Sequence, residues 1–237
     1  MVLLVDADSL IFSSCYKKRE TPEDSPYYDN LNDVTGKFDE VFMKIINDLE
    51  ELYPIDEVKV FSGSLGNFRK LITPKYKANR TQIPKPPLLN EMHAWVKEHY
   101  DSIYGHGIET DDIVAKYWFQ LSNEIGRDNV MIVSIDKDYK QFPCLMYNYH
   151  AKHKCVYDIT EDEAMYNFYE QMIIGDTADN VNYCKGFGKK YAKKYLADCK
   201  TKYQYTKKMY NLFKQIHKGK AKQRYIECYN LLKLRTE

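Results

Sequence analysis

No run of apolar residues in the 237-residue sequence approaches the roughly 20 needed to span a bilayer, so a membrane-crossing helix is not expected. The six cysteines (Cys15, Cys144, Cys155, Cys184, Cys199, Cys228) are scattered without a C-x-x-C pair. Neither a disulfide framework nor a thiolate zinc site is indicated, and a reducing cytoplasm is the expected setting. The six histidines show no metal-ligand spacing. The opening MVLLVDADSL has neither a basic n-region nor a small-residue cleavage site, so no export signal is expected. Internal repeats and low-complexity tails are also missing.

Net charge is nearly absent too: 35 Lys and Arg against 34 Asp and Glu leave +1. That balance conceals an asymmetry. Residues 185–237 hold 16 Lys and Arg with 3 Asp and Glu, net +13, whereas residues 1–184 hold 19 and 31, net −12. A basic quarter of this strength reads as a footprint for a polyanion, most often nucleic acid, with a solvated lysine-rich helical surface as the plainer alternative. The length and the 44% hydrophobic content suit one large domain with a sizeable core.

Three short, continuously apolar, β-branched runs, Val2 to Val5, Val58 to Phe61 and Val130 to Ile135, read as strands of a buried parallel sheet. Between them Val41, Ile45, Leu49 and Leu52, and then Ile113, Tyr117 and Leu121, repeat at helical spacing. Strands alternating with helices predict an α/β sheet with right-handed crossovers. TPKYKANRTQIPKPP, residues 73–87, carries four prolines and reads as a loop or bridge, and a helix resumes over Leu88 to Tyr100. After Thr160 the chain reads as helix, broken near Gly175, Gly186 to Gly188 and Gly219.

Open α/β sheets bind ligands at the carboxyl ends of their strands. Two of the apolar runs deliver acids there: VLLVDAD supplies Asp6 and Asp8, and VMIVSIDKD supplies Asp136 and Asp138. GIETDDIVA opens a helix with Glu109, Asp111 and Asp112, and GDTADN carries Asp176 and Asp179. Any one group is explained by turn capping or by the helix dipole. If the four converge, their mutual repulsion, about 4 kcal/mol per close pair at an effective dielectric near 20, demands protons or cations. All-oxygen ligation selects Mg²⁺ or Mn²⁺, and this many carboxylates predicts two ions, the arrangement for in-line phosphodiester hydrolysis.

The ordered blocks VLLVDADSLIF, FSGSLGNFRKLITPKYKANR, GIETDDIVA, VSIDKDYKQF and IIGDTADNVNYCKGFGKKYAKKYL resemble those of the 5′ nuclease family: flap endonucleases, bacteriophage 5′ to 3′ exonucleases and the 5′ nuclease domain of bacterial DNA polymerase I. The resemblance runs from about residue 2 to 196 and implies a PIN-like, mostly parallel α/β core that holds two metal ions. Carried over block by block, it makes Asp6, Glu109, Asp111, Asp112, Asp136, Asp138, Asp176 and Asp179 the metal ligands, with Asp8 a weaker candidate. Ser62 in VFSGS stands where the family commonly has an aspartate, so a metal binds more weakly or Asp8 compensates.

The same resemblance makes Arg69, Lys77 and Arg80 the cations that grip the scissile phosphate, and Tyr76 a platform for the terminal base. A short arch is expected over about residues 73–100. Gly186-Phe187-Gly188 resembles the turn of a helix-three-turn-helix, in which Gly186 and Gly188 let the backbone approach a phosphate while Lys185, Lys189, Lys190, Lys193 and Lys194 neutralise its neighbours. In relatives the carbonyls of such a hairpin hold a K⁺ ion. The implied organisation is a catalytic core over 1–175 and a basic helical DNA-binding region over 176–237. The implied activity is metal-dependent 5′ to 3′ exonuclease and flap endonuclease action on duplex, nicked or flapped DNA. The implied setting is a cytoplasmic monomer, in the host cytoplasm if phage-encoded.

Three other readings remain. VDADS, FSG and GDTADN mimic the blocks of a haloacid dehalogenase phosphatase, but there the last block follows a buried strand, whereas Met165 to Ile174 reads as helix. A DNA-binding protein that has lost its metals rests on Ser62 alone. A ribonuclease acting on RNA-DNA primer strands differs only in substrate.

Overall fold

The computed structural model describes residues 1–82 and 84–236. Six strands make one sheet: β1 (Val2–Asp6), β2 (Glu57–Leu65), β3 (Ile103–His106), β4 (Val130–Val133), β5 (Leu145–Asn148) and β6 (Cys155–Asp158), in the spatial order β3-β2-β1-β4-β5-β6. Only the β5–β6 pair is antiparallel. β1 is central and buried along its whole length, which is why VLLV lacks polar alternation. From β1 the chain builds outward through β2 and β3 and then returns to β4 on the other side. The reversal opens a crevice at the carboxyl ends of β1 and β4, where Asp6 and Asp136 lie.

The helices form two layers and a lobe. On one face, α1 (Asp8–Ser14), α2 (Leu31–Glu50) and α4 (Leu89–His99) cover Leu3, Val5, Val60, Met131 and Val133. On the other, α5 (Thr110–Ile125) buries Val114, Ala115 and Trp118 against Val2, Leu4, Val130 and Ile132. α6 (Glu161–Ile174), α7 (Lys189–Leu196), α8 (Lys202–His217) and α9 (Ala221–Leu232) share a separate helical core with Met172, Ile173, Met209, Phe213 and Leu231. One-turn α3 (Arg69–Ile72) follows β2.

The three predicted strands are present. β3, β5 and β6, four residues each and mixed in polarity, escape the apolar-run criterion. Much of the expected arch is something else: α4 buries Met92 and Val96 in the sheet core and is the crossover from β2 to β3. What remains outside the sheet core, among the described residues, is 73–82 and 84–87, with a 3-10 turn over Ala78–Gln82 and with Tyr76 buried in the helical core; Ile83 lies outside the described residues. The boundary expected at residue 175 does not divide the cores either. α6 packs with the later helices, while Leu234 returns to the sheet core.

α6 ends where the chain must turn sharply into the last acidic group. Gly175 sits at φ 77°, and a Cβ there would come within 2.3 Å of the Val181 carbonyl oxygen. Only glycine combines that backbone region with that approach. Asp176 and Val181 then exchange both backbone hydrogen bonds, at 2.7 and 2.8 Å, closing the 176–181 turn. Gly175→Ala is expected to cost about 2 kcal/mol or more, read by calorimetry as a melting point at least about 4 °C lower. An unchanged melting point would count against this turn.

Candidate active site

The carboxyl edge of the sheet gathers the acids from four connections. Asp6 ends β1, is buried, and accepts the Tyr139 hydroxyl at 2.8 Å and the Asp8 amide at 3.2 Å. Asp8 opens α1 and accepts the Gly63 amide and the Thr110 hydroxyl, each at 2.7 Å. Beyond β4, Asp136 accepts the Asp138 amide at 2.9 Å and so caps the 3-10 turn Lys137–Gln141. Glu109 caps α5 and Asp111 lies in its first turn, where the helix dipole favours negative charge. Asp176 accepts the Asp179 amide at 3.1 Å inside the glycine-led turn. Asp6, Asp8, Glu109, Asp111, Asp136, Asp138, Asp176 and Asp179 line one cleft of about 230 Å³ together with Lys77, Arg80 and Lys137.

The cations come mainly from residues 75–80, which are stitched to the 176–180 turn. The Lys77 amide donates to the Asp179 carbonyl at 2.9 Å, Asn79 Nδ2 to the Thr177 carbonyl at 2.8 Å, Arg80 Nε to the Ala178 carbonyl at 3.1 Å, and Asn180 Nδ2 to the Lys75 carbonyl at 2.8 Å. Lys77 is held at φ 53°, a region that non-glycine residues seldom occupy away from functional sites. Its ammonium pairs with Glu109 and lies 3.5 Å from Asp179. Arg80 pairs with Asp179 at 2.9 Å and keeps 51% of its side chain exposed. Lys137 pairs with Asp176 at 2.7 Å.

Three cations do not balance eight acids, and the protonation of the acids reflects it. Burial, with Asp8 and Asp136 nearby, pushes Asp6 up to about 7. Burial, with Asp136, Asp176 and Asp179, pushes Asp138 up to about 8. Burial and neighbouring carboxylates also raise Asp111 strongly, and burial raises Asp136. Glu109 and Asp176 go the other way. Burial pushes each up, but Lys77 and Arg69 at Glu109, and Lys137 with the Asp179 amide at Asp176, outweigh it. An all-oxygen donor set carrying uncompensated negative charge fits hard divalent cations. Glu109, Asp111 and Asp112 place ligand oxygens within 4.8 Å of one another.

Not every expected residue faces this cleft. Asp112 is 1% exposed and its carboxylate takes the Arg69 guanidinium in a two-point fork, 2.6 and 2.8 Å, as well as the Arg235 amide at 2.9 Å. Arg69 is equally buried, so it cannot touch a phosphate in the cleft; its expected gripping role gives way to holding Asp112 and Glu109. Tyr76 is 2% exposed, and its hydroxyl lies 2.8 Å from Glu109 Oε2 and 2.7 Å from Asp179 Oδ2. A ring enclosed in this way cannot stack on a terminal base. Its single phenolic proton instead ties two acidic blocks together. Ser62 is buried and shares a 2.7 Å hydrogen bond with Ser102. Asp8 supplies a carboxylate on the rim beside it.

Sequence reasoning passed over Lys137 and Gln171. Lys137 lies inside the D-x-D block, where its position was the available signal. Gln171 Nε2 donates to Asp138 at 2.8 Å and to Asp176 at 3.3 Å from the last turn of α6, and no local pattern marks it.

The basic hairpin adjoins the acids. A groove lined by Lys137, Asp138, Gln171 and Lys189 runs between the cleft and the start of α7. Gly186 is at φ 92°, and the space where a Cβ would stand at Gly186 or Gly188 is open. No side chain caps α7 at Gly188, which leaves first-turn amides available to an anion. Lys185, Lys189, Lys190, Lys193 and Lys194 are all exposed, and among the described residues none is ion-paired.

The raised carboxyls bear on stability. Each binds its proton more tightly in the folded than in the unfolded chain, so metal-free stability falls as pH rises from about 4 through 8. Melting in chelator at pH 5 and pH 8 is expected to show the loss, with Mg²⁺ or Mn²⁺ restoring more at pH 8 than at pH 5. A flat profile that does not respond to metal would refute this electrostatic account.

A family model described as 5′-3′ exonuclease, N-terminal resolvase-like domain, matches residues 1–170. DNA polymerase I of Borreliella burgdorferi is 26% identical over 215 residues, 84% of this chain and 22% of that protein. The flap endonuclease Xni of Vibrio vulnificus is 33% identical over 114 residues, 45% of this chain and 43% of Xni. The chain therefore spans less than half the length of either relative. Among solved structures, the bacteriophage T5 flap endonuclease, described as a pseudo-enzyme-product complex with DNA and metal ions, superposes with a TM-score of 0.61 over 98% of both chains at 15% identity, a likeness of fold. With the family model spanning the sheet and six of the eight cleft acids, this chain belongs to the 5′-3′ exonuclease family.

Proposed function

We propose that the protein is a divalent-metal-dependent 5′ to 3′ exodeoxyribonuclease with flap endonuclease activity, acting on duplex DNA that carries a free 5′ end, a nick or a flap. The observation that carries this reading is the convergence of eight carboxylates in one cleft, with an adjoining groove that reaches Lys189, the first lysine of the exposed α7 cluster. Family membership and a DNA- and metal-bound structural neighbour support it. Asp6, Glu109, Asp111, Asp136, Asp138, Asp176 and Asp179 would hold two Mg²⁺ or Mn²⁺ ions, with Asp112 behind them as the partner of Arg69. Such ions supply an activated water and a stabilised leaving oxygen to in-line hydrolysis.

The chain's own residues do the rest. Lys77 and Arg80 exchange their carboxylate partners for the scissile phosphate as its charge grows. Asp8, fixed by Gly63 and Thr110, holds the rim opposite the second strand, where Ser62 supplies no charge. Gly186, Gly188 and the first turn of α7 receive a backbone phosphate, and the five lysines neutralise its neighbours along one strand. Carbonyls of the 182–188 turn would hold the K⁺ ion. The unpaired cysteines suit a reducing cytoplasm, where the protein would act as a monomer.

Assay of the pure protein on 5′-flap, nicked, blunt, single-stranded and RNA-DNA primer substrates with Mg²⁺ and Mn²⁺ is expected to shorten 5′ ends and release flaps. Inactivity on all of them would sink the reading. Asp136→Asn keeps the oxygen that accepts the Asp138 amide but removes a charge. It is expected to fold and bind DNA while cleaving about 10²-fold or more slowly, and full activity would refute the assignment.

Replacing Lys189 and Lys193 with Ala is expected to weaken DNA binding alike on every sequence. The slope of log K against log salt, read by fluorescence anisotropy in Ca²⁺, should flatten by about 0.9 per lost contact. An unchanged slope would make these lysines ordinary solvated surface.

A further inference from the structure

The segment after α9 makes a crossing that the catalytic reading does not use. Leu231 and Leu232 are buried in the helical core, whereas Leu234, two residues on, is buried in the sheet core beneath α5. Between these anchors the backbone is gripped by two side chains, Arg69 from the basic block after β2 and Gln141 from the block that carries Asp136 and Asp138. Arg69 donates to the Leu231 carbonyl through Nε at 3.0 Å and to the Lys233 carbonyl through Nη2 at 3.0 Å. Gln141 donates to the Leu232 carbonyl at 2.9 Å and accepts the Leu234 amide at 3.0 Å. The Arg235 amide reaches Asp112 Oδ1 at 2.9 Å, and its guanidinium lies 3.6 Å from the centroid of the Phe68 ring. One short stretch of chain thus joins the block before Tyr76, the start of α5 and the turn that carries Asp136 and Asp138.

The same Arg69 continues toward the cleft. Its Nη1 lies 2.6 Å from Asp112 Oδ2 and 3.0 Å from Glu109 Oε2, so the guanidinium spans from the strap to a carboxylate that lines the cleft. All five donor hydrogens of Arg69 have acceptors in a setting closed to water, so the fork has one geometry. We infer that residues 231–235 form a strap that sets the position of Glu109 and the α5 acids through Arg69, and of the Asp136–Asp138 turn through Gln141. Arg69 and Gln141 are then positioning residues, and the strap, continuous with α9 and hydrogen-bonded to the acid blocks, is a contact by which the basic helices α8 and α9 register on the acid cleft.

This inference rests on the proposed nuclease activity, and its test separates the two. Gln141→Met keeps side-chain length and removes both strap bonds; Arg69→Lys keeps the charge and loses the fork. Leu49→Ala, in the opposite sheet layer, is the control for lost stability. Both strap variants, assayed below their melting points, are expected to lower kcat about 10-fold or more with KM and the DNA Kd in Ca²⁺ unchanged. They are also expected to weaken Mn²⁺ binding measured by electron paramagnetic resonance on the DNA-free protein. Leu49→Ala is expected to lower the melting point with kcat and Mn²⁺ binding retained. If the strap variants melt lower yet match the control in kcat and Mn²⁺ binding, the strap is structural only and the inference falls. If wild type is inactive on every substrate, the nuclease reading fails, while the Mn²⁺ comparison still decides the strap.

Discussion

Repulsion among carboxylates gathered at the ends of β1 and β4 is the constraint around which this protein is built. Two such groups 4 Å apart repel by about 4 kcal/mol at an effective dielectric near 20, and eight of them share one cleft. Repulsion alone would drive them apart. They stay because each is fixed by an element that is stable for other reasons: Asp6 by a fully buried central strand, Glu109 and Asp111 by the start of a buried helix, and Asp176 by a turn that only glycine can enter. The residual charge is left for cations to settle, which is what a site for hard metal ions requires.

The basic residues divide according to burial. Arg69 is withdrawn completely and makes a permanent fork to Asp112, whose two oxygens are thereby occupied. Lys77 and Arg80 keep a face on the cleft and hold acids that a phosphate could replace, and Lys137 does the same for Asp176. Tyr76 lies between these sets, its hydroxyl shared by Glu109 and Asp179, so that the segment that brings Lys77 and Arg80 is itself anchored to the acids they face. Exposure distinguishes structural charges from exchangeable ones here more clearly than residue type does.

The charge asymmetry follows the same logic. An acidic body would repel the DNA of the proposed function, which would then have to be held by something adjacent and opposite in sign. Lys189, at the start of α7, lines the same groove as Lys137 and Asp138. The helical lobe that carries them is no independent appendage, since α6 belongs to its core and the chain after α9 returns to the sheet.

The linear sequence determined the class of fold, the acids and the lysine cluster. Buried parallel strands must be apolar runs, strand ends place aspartates at a sheet edge, and a +13 quarter is visible by counting. The family resemblance carried the ligand list from these blocks. Which of the matched residues face the cleft was decided only by tertiary packing. Arg69, Asp112 and Tyr76 sit in blocks that look catalytic, yet all three are enclosed, because burial depends on what packs over a residue. Covering Arg69 and Asp112 takes residues 231–235, more than 100 positions away in the chain. Gln171 and Ser62 make the same point from the other side. A glutamine in the last turn of a helix becomes a partner of two acids, and a serine at an expected acid position turns to another serine, because each side chain answers to neighbours that the fold brings from elsewhere.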